Sequence, residues 1–129
     1  MDPIFLTIDE VLAFHQDQLN EHGGSAGLRD RGMLESALAA PAATFGGEFM
    51  HHDLFEMAAA YLFHISSNHP FVDGNKRAAA ASAWTFLMIN GVDLPVATKE
   101  YENLVLQVAQ GKLEKSDIAV FLRNMARKA

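Results

Sequence analysis

Nine consecutive residues, His69-Pro70-Phe71-Val72-Asp73-Gly74-Asn75-Lys76-Arg77, bring together an imidazole, a carboxylate, two cations and a turn containing glycine. Few structural jobs need that mixture, and phosphate chemistry does. His69 is the side chain of the set suited to taking a proton near neutral pH, so it is the candidate general base. Gly74 and Asn75 tolerate positive φ, which lets the turn aim successive backbone N–H groups outward as an anion site at the start of a helix. Lys76 and Arg77 in the first turn of that helix oppose its dipole unless an anion joins them, and a bound phosphate removes the conflict. Arg77 offers a planar fork, Lys76 a mobile point charge, and Asp73 the single carboxylate that a phosphate-bridged Mg2+ typically uses. Together they describe a triphosphate and its metal. Phe71, set between polar neighbours, is the apolar peg that fixes the loop to a core.

Helices must hold this segment at both ends. Thr7-Ile8-Asp9-Glu10 is a capping box with Leu6 and Val11 as its hydrophobic staple, and it opens a helix carrying Val11, Leu12, Phe14, His15 and Leu19 to a stop at Gly23-Gly24. Asp30 caps a short helix through Leu34 and Leu38 that ends near Pro41, completing a helical hairpin. Between Pro41 and His52 the periodicity lapses, and Gly46-Gly47 between Phe45 and Phe49 reads as a loop or a small β-hairpin. Asp53-Leu54-Phe55-Glu56 forms a second capping box, and Met57, Ala60, Tyr61, His64 and Ile65 continue at helical spacing to about Ser67. The motif follows, and Gly74-Asn75-Lys76-Arg77 opens a helix whose apolar run, Ala78 to Ile89, implies burial on every side before Asn90-Gly91 stops it. Two further helices fit residues 98–110 and 116–127, separated by Gly111.

A chain of 129 residues, half apolar and one-fifth charged, fits a single globular domain spanning 1–129. Its 10 Lys and Arg against 16 Asp and Glu, net −6, give no broad positive field for nucleic acid or anionic lipid. With no cysteine there is no disulfide, thiolate zinc site or cysteine nucleophile. The opening residues carry no secretory leader pattern, and the longest apolar run is well short of the roughly 20 residues a bilayer requires, so a cytoplasmic location without membrane partners is expected.

His-Pro-Phe-x-Asp-Gly-Asn-Lys-Arg resembles the active-site motif of the Fic/Doc superfamily, in the form found in death-on-curing (Doc) toxins. Eight fixed positions at about one in twenty each coincide by chance on the order of once in ten billion starts, which makes the resemblance specific. It extends through Phe5-Leu6-Thr7 with Glu10-Val11-Leu12, Gly27-Leu28-Arg29-Asp30, Leu34 to Leu38, Asp53 to Glu56 and Asn90-Gly91, and weakens after about residue 95. The resemblance implies an all-α bundle of about six helices with the motif loop between two central helices, and a flap at Phe45, Gly46 and Gly47 that docks the target. It implies His69 as base for a target hydroxyl, Asp73 as Mg2+ ligand and orienter, and Gly74, Asn75, Lys76 and Arg77 as the phosphate holders.

Adenylylating relatives usually carry Gly where this chain has Lys76 and a second Arg where it has Ala80. Both differences alter the phosphate pocket and accompany kinase activity in Doc-type members. The resemblance therefore implies a toxin kinase that moves the γ-phosphate of ATP to a threonine of elongation factor Tu and blocks translation, with a Phd-like antitoxin as inhibitor. Adenylyl transfer to a protein hydroxyl and a catalytically inactive interaction module are the alternatives. A metal-dependent phosphohydrolase built on His51-His52-Asp53 is a weaker rival, and His15, His22 and His64 read as satisfied or surface histidines. Thr98-Lys99-Glu100-Tyr101-Glu102-Asn103 fits the superfamily's short inhibitory helix, yet the arginine its glutamate would pair with is Ala80, so a plain helix start is expected. At a helix C-terminus the dipole favours protonated His69, so activity is expected to rise with pH through neutrality.

Overall fold

The computed structural model describes residues 2–95 and 99–127. The described residues form helices α1 (Ile8–His22), α2 (Arg31–Ala39), α3 (Leu54–Asn68), α4 (Asn75–Ile89), α5 (Lys99–Ala109) and α6 (Lys115–Arg127). A two-stranded antiparallel hairpin, β1 (Thr44–Phe45) and β2 (Glu48–Phe49), lies between α2 and α3. The fold is the all-α bundle expected from the sequence, with a small hairpin.

Local chemistry explains where the elements begin. Thr7 Oγ1 accepts from the Glu10 N–H while the Glu10 carboxylate accepts from the Thr7 N–H, and Leu6 and Val11 are both buried beside this capping box. Asp30 caps α2 by accepting from the Met33 N–H at 3.0 Å. Asp53 caps α3 by accepting from the Glu56 N–H, but the expected return bond differs: the Glu56 carboxylate accepts from His52 instead. The incoming loop presents the His52 N–H one residue ahead of the cap. Gly46 and Gly47, with φ of 61° and 82°, make the two-residue turn whose twist suits a hairpin.

The core forms around α3, which packs most extensively on α4 and then on α6, α2 and α5. Ala58 and Ala59 on α3 and Ala78, Ala79 and Ala83 on α4 are fully buried, and such small side chains permit close helix approach. Tyr61 and Phe86 fill the space beside them with ring centroids 5.0 Å apart. The Tyr61 hydroxyl accepts from the Leu6 N–H, and burial pushes it up to about 12.

Helix α4 is not enclosed on every side. Its buried stripe is Ala78, Ala79, Ser82, Ala83, Phe86 and Leu87, whereas Ala80, Ala81 and Trp84 are half-buried and Met88 is 54% exposed. The reason is the position of α5, which meets α4 along one line. There Tyr101 packs edge-on to Trp84 and its hydroxyl donates to the Ala80 carbonyl. A groove of about 680 Å3 remains beside that line, with Ala80, Ala81, Trp84, Val105 and Leu106 in its walls. None of the described helices is long and apolar enough to cross a membrane.

Candidate active site

The motif loop leaves α3 through a left turn. His69 has φ 50° and ψ 53°, the single non-glycine described residue with positive φ. Such a backbone costs of order 1–3 kcal/mol and persists where neighbours over-determine it. Here the neighbour is the α1–α2 connection. Arg29 Nε donates to the His69 carbonyl at 2.7 Å and Nη2 to the Asn68 carbonyl at 3.0 Å. The Arg29 and Asp30 N–H groups both donate to the Pro70 carbonyl, and Val72 N–H donates to Gly27, so Leu28 and Phe71 pair as a short antiparallel bridge. The His69 imidazole is exposed and makes no hydrogen bond to another described residue, leaving it open to a substrate.

Beneath the loop, Phe71 is 1% exposed and lies parallel to the His15 ring, with centroids 3.8 Å apart and 6° between planes. His15 Nε2 sits 2.7 Å from the Asp73 carbonyl oxygen; because a carbonyl only accepts, that nitrogen must donate. The Asn75 side chain is spent within the loop, accepting from the Phe71 N–H and donating to the Phe71 carbonyl. Of the expected phosphate holders, Asn75 therefore has its backbone N–H left for an anion, not its amide.

Asp73 is exposed and its two oxygens are held by the main chain. Oδ2 accepts from Ser25 at 3.1 Å and Oδ1 from Gly74 at 2.8 Å. These two bonds, with a smaller contribution from Arg77, hold the carboxyl below the usual carboxylate range. The approach to Ser25 needs Gly24: its φ is 122°, and a Cβ there would lie 2.9 Å from Asp73 Oδ2. Each carboxylate oxygen retains accepting capacity, which fits the one-carboxylate, phosphate-bridged mode of Mg2+ binding. The described residues contain no group of three or more His, Asp and Glu arranged to hold a metal. The residues of the metal-dependent rival, His51, His52 and Asp53, have other engagements, the His52 N–H donating to Glu56. Asp53 is capping α3 and pairing with Arg123 at 2.8 Å, and His51 lies against Lys115.

Gly74, at φ 80°, turns the chain into α4, so the N-terminal N–H groups and the exposed Lys76 and Arg77 share one end of the helix. Neither cation forms an ion pair with another described residue, and both line the end of the groove beside α5. Glu102 lies in the same groove wall, also without an ion pair to them, whereas Thr98 of the inhibitory pattern lies outside the described residues.

Phe45, Gly46 and Gly47 are separate from this assembly: no hydrogen bond or ring contact joins them to the motif loop among the described residues. Phe45 is 83% exposed, while Phe49 on the opposite strand packs on Phe5 at 5.6 Å. The residues after the hairpin are tied to α6 by Asp53 with Arg123 and by Lys115, which lies 3.4 Å from His51 and 3.1 Å from His64 on α3. Burial first, then the Lys115 charge, lowers both imidazoles, His64 to about 4.

His15 is the satisfied histidine expected from the sequence, but its place beneath the motif loop, like the grip of the Arg29 side chain on that loop, was not anticipated. The signal for His15 is its spacing: Val11, His15 and Leu19 form the buried stripe of α1, and a histidine in such a stripe must find a partner. No local signal marks Arg29, whose contacts are with residues 39 and 40 positions away.

Comparison with known proteins agrees with this architecture. The chain is 42% identical over 109 residues to Toxin Doc of Mycolicibacterium smegmatis, covering 83% of this chain and 84% of that protein. It is 34% identical over 117 residues to Protein kinase doc of Escherichia phage P1, covering 91% of each. The model of the Fic/DOC family matches residues 5–87, the segment that holds the motif loop, all of α3 and all but the last two residues of α4. The chain thus belongs to the Fic/Doc family.

Proposed function

We propose that this protein is a Doc-like toxin that acts as a kinase, moving the γ-phosphate of ATP to a threonine hydroxyl of elongation factor Tu and so blocking translation. The observation that carries the reading is the motif end of α4: an exposed imidazole, an exposed carboxylate and two cations with no ion pair among the described residues, gathered around a left-handed turn and a helix N-terminus. The kinase name of the phage relative supports the choice of reaction, and both relatives' names support the toxin assignment. Lys76 in place of glycine, and Ala80 in place of a second arginine, favour transfer of the terminal phosphate over transfer of AMP.

In this mechanism His69 accepts the threonine proton as the oxygen attacks the γ-phosphorus and the bond to the β-phosphate oxygen breaks, releasing ADP. Lys76, Arg77 and the N–H groups from Gly74 onward balance charge on the phosphate oxygens. Asp73 is the residue that would hold Mg2+, which when bound would supply neutralisation of phosphate charge. The exposed Phe45 and the turn Gly46-Gly47 offer an edge against which an extended target segment can lie.

A growth-stopping enzyme of this kind requires an inhibitor, here a Phd-like antitoxin, and the groove formed by α4 and α5 with Gln18 and His22 of α1 is the proposed seat for it. Its apolar walls suit the face of an amphipathic helix, and its Lys76 and Arg77 end suits acidic residues, so an occupant covers the cations that hold phosphate.

The test is to incubate the protein with elongation factor Tu, Mg2+ and ATP and weigh the intact target. A phosphate-sized gain that disappears in His69→Ala is expected. An AMP-sized gain identifies an adenylyltransferase, and no gain with a competent nucleotide site rejects this target.

A further inference from the structure

We infer that Arg29 and His15 are positioning residues that divide the motif loop between them, Arg29 setting the base end and His15 the metal and phosphate end. The inference deepens the proposed activity and rests on the roles given there to His69 and Asp73.

Arg29 works at the end of α3. The last carbonyls of a helix lack intrahelical partners, and Arg29 supplies a planar fork to those of Asn68 and His69 while its own N–H holds Pro70. Those bonds fix the peptides on both sides of His69. Without them a left-handed non-glycine residue relaxes toward commoner backbone angles and swings its imidazole away. A displacement of about 1 Å at a reacting group costs on the order of a hundredfold in rate.

His15 works from the other side. Stacking on Phe71 fixes the plane of its ring, and its bond to the Asp73 carbonyl fixes the peptide that joins Asp73 to Gly74. That peptide carries the Gly74 N–H, which holds Asp73 Oδ1 and begins the N–H cradle of α4. The ring also forms a wall behind the turn, since a Cβ on Gly74 would lie 3.4 Å from it. His15 therefore aims the carboxylate and the cradle, and makes no hydrogen bond or ring contact with His69.

Complementary phenotypes follow. Arg29→Ala lowers kcat by about tenfold to a hundredfold and leaves KM for Mg-ATP within about twofold, with partial recovery in Arg29→Lys. His15→Phe preserves the stacked ring and deletes the donor, raising KM for Mg-ATP and the Mg2+ requirement by about fivefold to tenfold while kcat at saturation is largely kept. His15→Gln, which can present an N–H to the same carbonyl, recovers part of the loss.

Two readouts do not require turnover: calorimetric binding of Mg-ATP, and the imidazole NMR resonances of His69. We expect His15→Phe to weaken binding and Arg29→Ala to leave it unchanged. We expect Arg29→Ala to shift or broaden the His69 resonances while those of His52 stay in place. Unmoved His69 resonances in Arg29→Ala, or equal losses of affinity and kcat in both variants, overturn the division. Melting curves identify any variant that fails to fold, in which case Arg29→Lys and His15→Gln carry the comparison. If the wild-type protein binds Mg-ATP yet phosphorylates no protein, the proposed activity fails while these two readouts still decide the positioning roles.

Discussion

Two connections flank α3 and are held in opposite ways. The one after it, residues 69–74, is fastened from three sides: Arg29 and the Gly27–Asp30 main chain above, His15 and Phe71 beneath, and Asn75 across its middle. The one before it reaches outward as a hairpin whose tip makes no hydrogen bond or ring contact to the rest of the fold among the described residues, and which is secured at its stem by Phe49, His51 and Asp53. Under the proposed function the contrast separates two tasks. A proton acceptor and a phosphate cradle need fixed geometry, whereas an edge that receives a protein segment gains from freedom to adjust.

The contrast breaks most sharply at His69. Replacement by alanine is expected to reduce transfer by roughly a hundredfold to ten-thousandfold with little change in melting temperature, since the imidazole is exposed. Survival of full transfer would remove the base from the fixed loop. Next in size is Asn75→Ala, which leaves both polar groups of buried Phe71 without their partner. A loss of about 1–3 kcal/mol, read by denaturant titration, is expected, together with impaired nucleotide binding.

Phe45→Ser should do the reverse. Its side chain is 83% exposed, so stability is expected to stay within about 0.5 kcal/mol while KM for the protein target rises several-fold and KM for ATP holds. An equal rise in both would join the hairpin to the nucleotide site.

The smallest expected effect concerns the stem. His64 is lowered from 6.5 to about 4 by burial and by Lys115, so it is neutral in the fold where the unfolded chain would take up a proton. The unfolded state therefore binds more protons between those values, and stability falls as pH drops through that window. His51, lowered by burial and Lys115, adds in the same direction. His64→Gln should flatten the melting temperature between pH 6.5 and 4. Amide exchange should also quicken in the hairpin stem before the motif loop, and the opposite order would reverse the comparison.

Much of this molecule is decided within a few residues of sequence. The Thr7 and Asp30 caps, the two-glycine turn at 46–47 and the left-handed Gly74 depend on φ preferences and on bonds spanning three residues, so they are legible without a fold. The motif is likewise contiguous, which is why the candidate base, carboxylate and cations could be named from it. Tertiary structure decided what holds them. His15 meets Asp73 across 58 positions, Ser25 meets Asp73 across 48, and Arg29 meets His69 across 40. It also left one face of α4 open beside α5, where an apolar run interrupted at Ser82 and Thr85 had suggested full burial. Apolar content records how much surface a helix can bury; which part is covered depends on where the neighbouring helix crosses it.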